Sequence, residues 1–346
     1  MKKIFLLLLI FPLLIFGNMA KPWMDGSQHS VLFGGNASVK REIIDIRIIE
    51  EPLEKIHFAS YTIKYYIYSP QKQTLPLLFI AIGLQGEQGI KVNNRASKIE
   101  PLDLEKKSYP FLKKNIMGTF VKYDVANELP INQSDLIYFS ADLNEGENII
   151  EVRYDAQMEY NTYGFIKNYK LEYSLSPSKY WKSFGPIEVN LNLNNQLEFK
   201  ESNLGQEKES NNILKWTIRP QNRDKIEIKL SEKISFISKI LLAIDPFGLA
   251  VISLLAMFFI HLKLMKKKPN KWILILGIIL VPILFYVFYF LSYDLINFSL
   301  GKTHTKHGYI FFIVFTYPIL LIFYGILMWQ IYRRRKANQS IENSVK

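Results

Sequence analysis

The sequence predicts an all-β domain, built as one β-sandwich or two packed β-subdomains, followed by a region of three transmembrane α-helices. Three observations predict it. Apolar and polar residues alternate at period two through about 210 residues, three apolar runs of about 20 residues or more close the chain, and lysine and arginine gather at the borders of those runs.

The strand pattern is clearest in three places. In "EIIDIRIIE", Ile44, Ile46 and Ile48 share one face with Asp45 and Arg47 opposite. In "ASYTIKYYI", Ala59, Tyr61, Ile63, Tyr65 and Ile67 alternate with polar neighbours, and in "PIEVNLNLNN" Ile187, Val189, Leu191 and Leu193 face inward. Alternation with one wet face predicts antiparallel strands. Gly146 in "NEGEN" predicts a tight hairpin between "LIYFSADL" and "NIIEVRY", and "KESNLGQEKESNN" predicts a second hairpin loop between "LEF" and "ILKWTI". The segment from Pro101 to Pro130 fits neither the strand nor the helix period and is left unassigned. Fixed-length repeats are absent.

The apolar runs are Pro246 to Met265, Trp272 to Tyr293 and Tyr309 to Tyr332, each long enough to cross about 30 Å of hydrocarbon as a helix. The first two are joined by "KKKPNK" and the third is followed by "RRRK", whereas the link between the second and third carries only Lys302 and Lys306. The positive-inside bias places the basic loop and the tail, 333–346, in the cytoplasm and residues 21–231 outside. Trp272 and Trp329 fall where an interfacial aromatic belt would put them. Ile234, Ile237, Leu241 and Ile244 recur at helical spacing, so 232–245 is expected to be an amphipathic helix on the outer leaflet. Asp245 followed by Pro246 reads as a helix cap, and Pro282 and Pro318 are expected to kink their helices near mid-span.

The opening 20 residues, with Lys2, Lys3, an apolar stretch of about a dozen residues and Ala20, read as a secretory signal peptide of bacterial form. Asn18 disfavours cleavage, so retention as an anchor stays open. With no cysteine, disulfides, thiolate metal sites and cysteine nucleophiles are excluded. The formal net charge is +12, yet Lys21 to Lys239 holds 29 basic against 28 acidic residues. The excess lies beside the apolar runs, which makes it a topology signal and excludes nucleic acid as a partner. The expected partners are the lipid bilayer and another membrane or envelope protein.

The stretch "YSLSPSKYWKSFGPIEVNLNL", with the upstream "LNEGENIIEVRY", resembles uncharacterised bacterial exported β-domain proteins that share a Y-x-L, then W, then G-x-I-x-V layout. The resemblance covers about a fifth of the chain. It implies an extracytoplasmic β-domain followed by transmembrane helices and assigns no catalytic residue. On the residues alone, Tyr173 and Leu175 point inward, Pro177 ends their strand, and Trp181 caps the core before the next strand at Ile187.

Motifs that invite chemistry are each weaker than their plain reading. The glycines at 83, 86 and 89 in "GLQGEQG" lack the spacing of a dinucleotide-binding loop and read as a hairpin loop. In "DLNEGE" the glycine comes one residue early for a calcium loop, so Asp142 and Asn144 mark a turn. His304 and His307 in "KTHTKHG" lack a third ligand and read as a solvated loop, and His29, His57 and His261 read as isolated. The spans are read as free of buried acids, arginines and histidines. Tyr286, Tyr289 and Tyr293 form a stripe on the second span that should face protein, with Thr316, Tyr317 and Asp294 as candidate partners. No catalytic, cofactor-binding or metal-ligating residue is assigned, and no cofactor is expected. The reading is a membrane-anchored extracytoplasmic binding or assembly module without catalytic activity. The alternative is an envelope enzyme or transport-complex subunit with its site in the membrane bundle.

Overall fold

The computed structural model describes residues 28–32, 36–51, 56–81, 83–102, 112–115, 118–122, 128–131, 133–161, 163–175, 178, 181–210, 212–220, 223, 225–267 and 270–345. Residues 1–20, whose sequence reads as a signal peptide, and Pro177 lie outside them. The described residues form two compact units: 28–161 with 166–233, and 234–345 with 163–165.

The first unit is β-rich. One eight-stranded sheet runs, edge to edge, Leu197–Ser202, Lys225–Glu232, Asn168–Ser174, Gln28–Leu32, Gln73–Ala81, Leu136–Leu143 and Ile99–Glu100, with Glu159–Tyr160 beside Asn168–Ser174. A nine-stranded sheet runs Lys208–Ser210, Ile213–Ile218, Ile187–Asn192, Ser38–Glu51, Ile56–Ser69, Gly146–Gln157, Leu84–Val92 and Arg95–Ala96, with Ser183–Phe184 beside Ser38–Glu51. The segment left unassigned by its pattern supplies most of a separate three-stranded meander, Leu112–Asn115, Gly118–Lys122 and Glu128–Ile131.

Period two translates directly into burial. Ser38–Glu51 and Ile56–Ser69 pair antiparallel with Ile44 opposite Ile63 and Ile46 opposite Tyr61, and these residues are buried together with Ile48, Ala59, Tyr65 and Ile67. One continuous hydrophobic cluster takes inward residues from both large sheets, among them Phe79, Phe139, Leu171 and Ile228 from the first and Ile63, Val152 and Val189 from the second. The sheets are mixed where alternation predicted antiparallel strands. Ile187–Asn192 runs parallel to Ser38–Glu51, and Gln28–Leu32 runs parallel to Asn168–Ser174. A wet and a dry face set the period of a strand without setting the direction of its neighbour.

Both predicted hairpins are instead crossings between sheets. Leu136–Leu143 belongs to the eight-stranded sheet and Gly146–Gln157 to the nine-stranded one, although Gly146 does take a positive φ of 92°. The Asn148 side chain holds this corner: it accepts from the Asn144 amide at 2.8 Å and donates to the Asn144 carbonyl at 2.8 Å. Likewise Leu197–Ser202 and Lys208–Ser210 lie in different sheets. Trp181 is buried at 6% exposure, and Tyr173 and Leu175 are buried as expected. Gly185 of the G-x-I-x-V layout donates its amide to the Val39 carbonyl at 2.8 Å, so close that a Cβ would sit 1.8 Å from the Lys40 carbonyl oxygen. Only glycine fits there.

The second unit is helical. Helix α1 spans Phe236–Lys267, α2 spans Lys271–Ser299, and a 3₁₀ segment Ile310–Thr316 leads into α3, Tyr317–Val345. Three stretches, Phe236–Lys266, Lys271–Ser299 and Ile310–Ala337, are long and apolar enough to cross a membrane. Asp245 breaks α1 at φ 60° and accepts the Gly248 amide at 2.8 Å, which caps the helix restarting at Pro246. Upstream of that break Ile237 is exposed and Ser238 is buried, donating to the Ser299 carbonyl at 2.9 Å. Pro318 does not lie at mid-span of a kinked α-helix. It is the second residue of α3, where its missing N–H costs nothing, and the run before it is wound as 3₁₀. Pro282 lies within α2.

Candidate functional site

The most unusual chemistry of the β-rich unit is a carboxyl in its core. Alternation from Ile48 through Ile46 and Ile44 carries the inward face back to Glu42, which is 1% exposed. Tyr65 lies directly opposite Glu42 on the neighbouring strand, and Tyr173 comes from the eight-stranded sheet. The Tyr173 hydroxyl donates to Glu42 Oε1 at 2.5 Å, and the Tyr65 and Tyr173 hydroxyls are 2.7 Å apart. Tyr154 stacks on Tyr61 at 4.8 Å and tilts against Phe79 at 5.1 Å, closing the surroundings with aromatic rings.

Burial raises the Glu42 pKa to about 7, against the lowering effect of its hydrogen bonds from Tyr173 and Tyr65. Burial likewise pushes the Tyr65, Tyr154 and Tyr173 hydroxyls well above the usual phenol range. Phenols can solvate a carboxyl by hydrogen bonding but bring no positive charge, so the group keeps its proton into the neutral range. Glu172 provides the contrast. It too is almost buried, but Lys170 Nζ and Lys225 Nζ approach to 2.7 and 2.5 Å, and although burial raises its pKa these hydrogen bonds leave it below the ordinary value.

A second buried polar contact joins His57 Nδ1 to the Tyr169 hydroxyl at 3.1 Å. Burial lowers the His57 pKa, with Glu50 and Glu232 opposing and Lys167 assisting. His57 is therefore not isolated.

Within the helical unit, one reading of the spans is corrected. His261 lies inside the first span at 3% exposure, so the spans are not free of buried histidine. Its Nε2 donates to the Ile273 carbonyl at 3.2 Å, and its Nδ1 lies 2.9 Å from the Tyr324 hydroxyl. One imidazole thus ties α1 to α2 and α3. Gly277 makes room for it, since a Cβ there would lie 2.1 Å from the ring.

The tyrosine stripe on α2 faces protein as expected: Tyr286 and Tyr289 are buried and Tyr293 is half-buried. Tyr286 and Thr316 hydroxyls meet at 2.7 Å, and because Thr316 donates to the Ile313 carbonyl, Tyr286 is the donor. Tyr289 and Tyr293 bond each other at 2.9 Å along the same helix, and Tyr317 packs edge-on to Tyr286. Tyr286→Phe should therefore loosen the bundle by about 0.6 kcal/mol, the usual size of an interhelical bond in a membrane, with Tyr289→Phe costing less. Thermal unfolding in detergent measures both, and the reverse ranking would contradict this geometry.

The remaining motifs fall in structural roles. Gly83 and Gly86 take positive φ, but Leu84–Val92 is a strand paired with Gly146–Gln157, so "GLQGEQG" is mostly strand and only its start is a turn. The register shift between Arg153 and Asp155, opposite Gln85–Gly89, places Gly86 in a bulge. His307 is held by Thr305 at 2.7 Å and packs against Tyr293 and Phe165, whereas His304 is exposed. Among the described residues no group of three or more His, Asp or Glu is arranged to hold a metal.

No family model and no curated protein matches the chain. Among solved structures, a Legionella pneumophila protein provisionally described as nutrient binding aligns at TM-score 0.44 and 11% identity, covering 61% of this chain and 72% of that one. Yeast LTA4 hydrolase in complex with bestatin aligns at TM-score 0.32 and 8% identity, covering 58% of this chain and 29% of that one.

Proposed function

We propose that the chain is a membrane-anchored binding or assembly module without catalytic activity, held in the bacterial cytoplasmic membrane. Its β-rich unit lies outside and its C-terminus in the cytoplasm. The two large sheets pack as a β-sandwich, of the kind expected for the exported β-domain proteins that the "YSLSPSKYWKSFGPIEVNLNL" stretch resembles. The partner is another membrane or envelope protein. The observation that carries this reading is the division of the chain into a strand-rich unit of near-neutral sequence and a helical unit with three spans whose basic residues gather at one end.

Activity reporters fused after Lys271 and at the C-terminus should behave as cytoplasmic, and one at Gly301 as extracytoplasmic. Any opposite sign would overturn the topology. Crosslinking in intact cells should then capture one stoichiometric envelope protein. The alternative, an enzyme or transport-complex subunit with its site in the bundle, draws on His261. Both of its ring nitrogens already have partners within the unit, which favours a packing role.

A further inference from the structure

We propose that the basic end of the helical unit is a binding site for the phosphodiester headgroup of an anionic phospholipid, with Arg335 as its oriented contact. The site rests on the membrane reading above and adds a lipid specificity to it. Three elements converge at this end. Met265 near the end of α1, Leu274 in the first turn of α2, and Met328 and Tyr332 of α3 share one hydrophobic cluster. The Arg335 guanidinium donates Nη1–H to the Leu262 carbonyl at 3.1 Å, bridging α3 to the last turns of α1.

That single bond uses one of five guanidinium donors, and the planar group keeps the fork of N–H donors that matches a phosphate. The same ends of the helices carry Lys263 and Lys266 on α1, Lys271 at the start of α2, and Arg333, Arg334 and Lys336 on α3, all exposed. Counter-charge is sparse. From Leu262 to Lys346 the sequence contains two acids: Asp294, five residues from the far end of α2, and Glu342, seven residues beyond Arg335 on α3. The N-terminal amides of α2 add positive potential at the same level.

The surroundings select a lipid over a free anion or a nucleic acid. Trp272 and Trp329 are 69% and 52% exposed, and Leu264 and Ile275 are also exposed beside the basic residues. A diester head at Arg335 would have its acyl chains on this apolar surface, as a soluble anion would not.

The test uses the full chain in neutral detergent, titrated with dioleoyl phosphatidylglycerol or dioleoyl phosphatidylcholine and read by native mass spectrometry. Phosphatidylglycerol should be retained at least tenfold more tightly, and the preference should shrink as salt rises. R335Q and the double variant K263Q/K266Q, on different helices, should each cut the preference to threefold or less, while K306Q at the other end leaves it intact. Equal retention of the two lipids, full preference in both charge variants, or displacement by millimolar inorganic phosphate would each overturn the site. Retention of neither lipid would instead remove the membrane reading on which it rests.

Discussion

Trp181→Ala is expected to destabilise the β-rich unit by about 3 to 5 kcal/mol, the usual cost of removing a large aromatic side chain from a packed core. At 6% exposure Trp181 belongs to the main hydrophobic cluster. The chain immediately after it is pinned by Lys182 N–H to the Ala37 carbonyl at 3.1 Å and by the Gly185 contact, which opposes local collapse into the space. Its indole N–H has no hydrogen-bond partner among the described residues. Trp181→Phe should consequently cost clearly less than Trp181→Ala, because it keeps much of the apolar surface and removes a buried donor. Urea unfolding of a fragment from Pro22 to Lys233 measures both. The fragment must run past Lys229, since the strand Lys225–Glu232 is paired on both sides. A loss below about 1 kcal/mol for Trp181→Ala would place the side chain in a surface role.

The second large effect belongs to Glu42. Folded Glu42 holds its proton up to about pH 7, whereas the unfolded chain releases it near 4.5. Between those values the folded state binds the extra proton, so this group's contribution is complete below about 4.5 and is lost as pH rises through 7. The loss is of order 3 kcal/mol, at about 1.4 kcal/mol for each tenfold difference in proton affinity between the folded and unfolded chain. Tyr65, Tyr154 and Tyr173, which surround it, stay neutral throughout this window, as their hydroxyls are raised further. Other carboxylates contribute with the opposite sign, Glu172 among them. The informative quantity is therefore the difference between Glu42→Gln and the parent. Glutamine should be the more stable form above pH 7 and lose that advantage toward pH 4. A difference that does not vary with pH would show that Glu42 is not a buried titrating group.

Much of this was legible from local pattern. Ile44, Ile46 and Ile48 announced the buried face of their strand, and the same period carried back two residues already pointed Glu42 inward, a signal that reading only the hydrophobic positions passes over. His261 was equally visible inside an apolar run. Thr316 could be anticipated as a partner of Tyr286 because depth in a membrane helix follows from counting residues along it.

Pairing was a different matter. Nothing near "NEGEN" distinguishes a hairpin from a corner between sheets, since Gly146 and Asn148 satisfy the same turn geometry in either case. The choice is made by distant strands: Leu136–Leu143 pairs with Gln73–Ala81, and Gly146–Gln157 with Ile56–Ser69. The meander from Leu112 to Ile131 shows the same dependence, with short strands whose backbone pairing outweighs a weak alternation.

Charge distribution, strand period, span length and helix caps are properties of residues and their near neighbours, and the chain carried them openly. Which sheet each strand joins, and in which direction, is a matter of hydrogen bonds between residues tens of positions apart. The meeting of Glu42, Tyr65 and Tyr173 is of that kind. Two of the three face each other across one strand pair, but Tyr173 reaches them from 131 residues along the chain only because the two large sheets share a core.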